Sequence, residues 1–134
     1  MNVDRLDHIG IAVESLETSS TFYRDVLGIE SGGVEEVPDQ RVRVAFFSLG
    51  ESKIELLEPT AEDSPIAQFI AKRGAGIHHM AVRVDDLPAA LEQARAAGIR
   101  LIDEQPRVGA GNARIAFVHP KSTGGVLLEL CERR

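Results

Sequence analysis

Apolar residues alternate with polar or small ones in two stretches of the chain, Leu6-Asp7-His8-Ile9-Gly10-Ile11-Ala12-Val13 and Ile77-His78-His79-Met80-Ala81-Val82-Arg83-Val84. A period of two marks a strand with distinct faces, which predicts a first strand over roughly 6–14 and another beginning near 77. Each passes into a stretch of helical period. Leu16, Phe22, Tyr23, Val26 and Leu27 mark one face of a helix over 16–27, and Leu87, Ala90, Leu91, Ala94 and Ala97 mark one over 87–97. Ser15 is placed to cap the first helix, and Asp85 or Asp86 the second. Gly28 and Gly98 stop them, because glycine takes a positive φ at little cost. Strands near 30–37, 42–49 and 52–58 come after the first helix, with turns at Pro38-Asp39 and Gly50-Glu51. Strands near 99–104, 113–119 and 125–131 come after the second, broken by the Gly-rich 109–112 turn and by Pro120 to Gly125.

The two halves align with each other. His8 matches His79, and at the same separation Val13, Leu16 and Phe46 meet Val84, Leu87 and Phe117. Gly28-Ile29 meets Gly98-Ile99 and Glu55 meets Glu129 with drifts of a few residues, as short loop insertions would produce. Ordered matches of this kind indicate a duplicated unit of strand, helix and three strands. The expected fold is α+β: two tandem βαβββ modules forming a curved, cup-like mixed sheet with helices outside. One domain spans 1–134, with module one at about 6–59 and module two at about 77–131. Ser64-Pro65 opens a linker helix within about 64–74, Pro65 taking its first turn.

Alternation also sorts the chemistry. His8, Gly10 and Ala12 share one strand face, as do His79 and Ala81, while branched aliphatics take the other and can meet the helices. Glu55 faces with Leu57, and Glu129 with Leu127 and Cys131. Two histidines and two glutamates on matched strands suggest a bivalent ion held between two copies of one module. Imidazole with carboxylate suits Zn, Co, Ni, Mn or Fe, and an octahedral shell of four such ligands leaves two positions open for chemistry. His78 competes for the register, but alternation and the repeat favour His79. Phe22, Phe46, Phe47 and Phe117 suit packing better than base stacking.

Composition narrows the class. Hydrophobic residues make up 43% of the 134, enough for a core, and 15 basic against 21 acidic residues give a net charge of −6. That sign disfavours nucleic acid and anionic membrane surfaces, although a few basic residues can still reverse the field within one pocket. Arg41, Arg43, Arg107 and Arg114 are candidates for that. A single cysteine, Cys131, excludes an internal disulfide and a multi-cysteine zinc site. With neither a leader nor a long apolar run in view, a cytoplasmic protein is expected.

Several segments carry a family resemblance. They are Asp7-His8-Ile9-Gly10-Ile11-Ala12-Val13, Lys53 to Pro59, Gly76 to Asp86, and above all Arg114 to Leu130 with its His119-Pro120-Lys121-Ser122 run. In these the chain resembles the methylmalonyl-CoA epimerase family of the vicinal oxygen chelate superfamily, nearly end to end. The resemblance implies interconversion of the C2 epimers of methylmalonyl-CoA by proton abstraction, enolate formation and reprotonation. It implies one bivalent ion per chain (cobalt, zinc, manganese or nickel) on His8, Glu55, His79 and Glu129. Glu129 would double as an acid/base with Glu55 as its opposite partner, and Lys121 and Ser122 would meet the CoA end. Some family members carry a further catalytic glutamate where this chain has Val44. A homodimer is the implied assembly. The alternatives on the same scaffold are a glyoxalase I-like isomerase or lyase and a metal-free binding or resistance protein.

Overall fold

The Asp7 to Val13 alternation becomes part of strand β1, Val3–Ala12, in a computed structural model that describes residues 1–133. Helix α1 (Leu16–Thr21) continues into a π turn over Phe22–Val26, and strands β2 (Ser31–Val37), β3 (Val42–Leu49) and β4 (Ser52–Pro59) complete the first module. Helix α2 (Pro65–Arg73) precedes β5 (Gly76–Val84), helix α3 (Leu87–Ala96), and strands β6 (Arg107–Val108), β7 (Arg114–Val118) and β8 (Leu128–Glu132). The chain forms two compact units, one of His8–His78, the other of Met1–Asp7 with His79 onward.

In the first unit the strand order is β2-β3-β4-β1, antiparallel except for the parallel β4/β1 pair. Leu16 of α1 packs on Val13, Ala45, Phe47 and Leu56, the helix-side core that the alternation predicts. Ser15 caps α1 by accepting from the Thr18 amide, and Ser64 caps α2 by accepting from Ile66 ahead of the Pro65 turn. Gly28 takes φ +69°, the left-handed geometry that its place after the helix requires.

The second unit repeats the pattern as β5-β8-β7-β6, with β5 and β8 parallel. Leu87, Ala90 and Leu91 of α3 cover Val84, Ala116, Val118 and Leu130. With Leu91 only 1% exposed, truncating it to Ala would cost about 2–5 kcal/mol. Asp86 is the cap, accepting from Ala89.

Three elements differ from the sequence expectation, one being β6, which pairs with β7 from Arg107–Val108, outside the expected strands. The first helix does not run regularly to Leu27: the Leu27 amide reaches back five residues to the Phe22 carbonyl, so a π turn inserts one extra residue. That slip leaves Phe22, Val26 and Leu27 exposed, and of the expected apolar face Leu16 is buried and Tyr23 packs beside it. The strand expected at 99–104 reduces to one bridge, Leu101 with Val118. Here the Asp103 carboxylate accepts from the Phe117 amide at 2.8 Å, replacing a backbone partner that a continued ladder would supply.

Candidate metal and acid/base site

The ladders place the matched histidines and glutamates by one rule. In the β1/β4 pair Glu55 lies opposite Gly10, two residues beyond His8, and in the β5/β8 pair Glu129 lies opposite Ala81, two residues beyond His79. Residues paired across a ladder project to the same side, and alternation returns the histidine to that side. Because Gly10 and Ala81 carry little or no side chain, each glutamate has room beside its histidine.

The structure brings His8 to Glu55 and His79 to Glu129. His8 Nδ1 lies 3.3 Å from Glu55 Oε2, and His79 Nε2 lies 3.5 Å from Glu129 Oε1. His8 is 3% exposed and Glu55 2%; His79 is 6% and Glu129 4%. Buried carboxylates require positive charge or donated hydrogen bonds nearby. Charge-assisted N–H···O bonds shorten to about 2.7–2.9 Å, so these contacts are long for a pair aimed only at one another. Two donors each about 2.0–2.2 Å from one ion stand about 3.0–3.5 Å apart at octahedral to tetrahedral angles. Both pairs therefore fit adjacent ligands of a divalent ion in spacing, burial and donor type.

A phenylalanine stands across the neighbouring ladder from each glutamate. Phe117 sets its ring edge-on to His79, centroids 5.4 Å apart, within a cluster of Ala81, Ala113, Ile115 and Cys131. Phe46 lies opposite Glu55 in the β3/β4 ladder as Phe117 lies opposite Glu129 in β7/β8. Val44 is buried opposite Leu57. His78 is half-buried with its ring against Phe69 of α2, and desolvation lowers its pKa to about 4, so that it stays neutral. The more deeply buried of the two histidines is His79, as the register predicts.

The four candidate arginines have local partners. Arg41 pairs with Asp63 and Arg107 with Asp103, while Arg43 pairs with Glu58 and Arg114 with Glu132. Lys121 is exposed on a 3-10 turn, Pro120–Ser122, whose Ser122 hydroxyl accepts from the Arg100 amide. His119 Nδ1 accepts from the Lys121 amide; desolvation, then the charges of Arg100 and Lys121, lower its pKa.

Three features escaped the sequence reading. Glu58 accepts from the Leu16 amide at 3.0 Å and Glu132 from the Leu87 amide at 2.7 Å, so matched glutamates tie both helix starts to their sheets. Their signal was the equal spacing of Glu55 to Glu58 and Glu129 to Glu132. Asp7, 1% exposed, receives bonds from both Arg83 and Arg133. Lys53 stands opposite His8 in the β1/β4 ladder, its ammonium 5.8 Å from the Phe46 ring centroid.

Residues 7–117 match the Glyoxalase/Bleomycin resistance protein/Dioxygenase superfamily. An ethylmalonyl-CoA/methylmalonyl-CoA epimerase of Cereibacter sphaeroides is 43% identical over 96% of this chain and 97% of its own. A crystal structure of methylmalonyl-CoA epimerase from Mycobacterium tuberculosis superposes with a TM-score of 0.94 at 43% identity, covering 98% of this chain and 89% of that one. A methylmalonyl-CoA epimerase in complex with methylmalonyl-CoA and NH4+ also gives 0.94, at 39% identity over 98% and 95% of the two chains.

Proposed function

The chain belongs to the Glyoxalase/Bleomycin resistance protein/Dioxygenase superfamily, and from that membership we propose that it interconverts the C2 epimers of methylmalonyl-CoA. The observation that carries the reading is the recurrence of a buried histidine–glutamate pair at the same ladder position in both modules. Proteins sharing the fold and about two-fifths of the sequence are named for this activity.

In this reading His8, Glu55, His79 and Glu129 hold one bivalent transition ion, cobalt, zinc, manganese or nickel. Bound there, the ion supplies Lewis acidity toward negative charge developing on the thioester. The protein supplies the proton transfers. Glu129 takes the C2 proton, the electron pair of the C–H bond passing into the thioester as an enolate, and Glu55 returns a proton to the opposite face. Reversal exchanges the roles, so one carboxylate per module gives one acid/base for each face of a planar carbon. Apolar walls such as Phe117, Ile115 and Ala81 exclude competing water and strengthen the electrostatics.

Lys121 and Ser122 as contacts to the CoA end, a homodimer and a cytoplasmic setting belong to the same proposal. No helix among the described residues is long and apolar enough to cross a membrane, and the net charge of −6 supports a small-molecule substrate over a polyanion. The test is NMR of methylmalonyl-CoA in deuterated water with metal-loaded and stripped protein. Deuterium entering C2 only with the loaded protein supports the reading. Metal and ester binding without exchange would leave a binding protein on this scaffold.

A further inference from the structure

On the face that carries the histidine–glutamate pairs, the position opposite the histidine is a lysine in one module and a leucine in the other. Lys53 stands opposite His8 and two residues before Glu55, so that its side chain leaves the sheet on the side of both. Its place in the second module falls to Leu127, whose carbonyl accepts from the Met80 amide and whose side chain packs with the Phe117 cluster. Each module sets a cation 5.8 Å from the matched phenylalanine ring, Lys53 over Phe46 and Arg107 over Phe117. Arg107 is also ion-paired, with Asp103 at 3.4 Å. Lys53 has no acidic partner among the described residues, and its stem is half-buried beside Phe46.

A duplicated scaffold whose pair-bearing face carries an ion-paired arginine in one module and a lysine with no acidic partner among the described residues in the other suits a ligand with one charged end. Resting on the function proposed above, we infer that Lys53 binds the free carboxylate of the substrate's acyl group and selects carboxylated acyl-CoA esters over plain ones. An ammonium on this face attracts a carboxylate brought to the site by a charge-assisted contact that a leucine cannot make. Holding the carboxylate at one end and the thioester at the other fixes the plane through C2. The two epimers then differ only in which face presents the C–H bond, as proton transfer from two sides requires.

The experiment measures Kd by calorimetry for methylmalonyl-CoA and for propionyl-CoA, which lacks the carboxylate. The metal-loaded wild type, Lys53→Met and Lys53→Arg are compared, with folding checked by circular dichroism. Lys53→Met should weaken methylmalonyl-CoA about tenfold, the effect of losing one charge-assisted contact, and propionyl-CoA less than about twofold. In turnover the loss should fall mainly on KM, and Lys53→Arg should recover most of it. Equal weakening of both esters would move Lys53 to the CoA phosphates and overturn the assignment. Unchanged affinity for both would reduce Lys53 to a packing partner of Phe46 and overturn it as well. Should Lys53→Met fail to fold, Lys53→Gln decides the same comparison. Wild-type deuterium exchange at C2 is read separately: its absence sinks the proposed reaction, while the ester comparison still decides Lys53.

Discussion

Ala81 stands directly across the parallel β5/β8 ladder from Glu129, two residues beyond His79. Gly10 stands in the same relation to Glu55 and His8, although the loops between the matched elements differ in length. A parallel ladder fixes this relation because a slip of one residue would turn every side chain of a strand to its other face. What the duplication preserves is therefore the register of each pair.

The first consequence concerns the imidazoles. His8→Ala or His79→Ala should lower metal content after desalting and reduce C2 exchange by at least about 100-fold, as loss of an inner ligand does. Circular dichroism should change little, since neither ring belongs to the helix-side clusters. A variant that keeps its metal and its activity would remove that histidine from the ligand set.

Glu129→Gln separates holding an ion from moving a proton. An amide oxygen can still coordinate but is no base, so exchange measured at saturating metal, with occupancy established independently, should drop about 10²–10⁴-fold. Near-wild-type exchange in the loaded variant would pass the base role to Glu55.

The ties at the helix starts predict matched stability losses. Glu58→Ala and Glu132→Ala should each destabilise by about 1–2 kcal/mol in urea, because the Leu16 and Leu87 amides lose their acceptors. Burial raises the Glu58 pKa, but the Leu16 amide and then Arg43 lower it further, leaving it below the ordinary carboxylate range. Its contribution is thus fully present above the unfolded value and is lost as pH falls through the lower folded value. Stability of wild type should decline more steeply over that acidic interval than stability of Glu58→Gln. Parallel curves would show that the carboxylate's charge has no part.

Asp7→Asn tests a different kind of contact. The Asp7 carboxylate takes bonds of 2.8 Å from each of Arg83 and Arg133, and its side chain has no exposed surface. Removing its charge leaves two guanidinium groups without their shared counterion, at a cost of about 3 kcal/mol. A urea midpoint close to wild type would show that the charge of Asp7 contributes little.

The elements fixed by short-range chemistry were legible in the chain. Ser15 and Ser64 are caps, Pro65 opens α2, Gly28 comes directly after the first helix, and the His8 and His79 faces agree with strict alternation. The π turn was not legible, because Phe22, Val26 and Leu27 hold helical spacing in sequence while one extra residue in the turn leaves all three exposed. Ile99 and Leu101 alternate like strand residues and do pack on the core, yet Asp103 bonds the β7 backbone through its side chain. Pairs such as Asp7 with Arg133 join the two ends of the chain, and no local pattern announces them.

The placement of Asp7 also decides where the chain can be cut. The sequence repeat divides near residue 75, but Met1–Asp7 belongs to the same compact unit as the chain from His79 onward. A C-terminal fragment starting at Gly76 would keep every strand of the second repeat and still lack the carboxylate that Arg83 and Arg133 share. Adding a peptide of residues 1–7, or fusing that peptide beyond the last residue in a circular permutant, restores it. Split-protein designs on this scaffold should therefore treat the first seven residues as cargo of the second half.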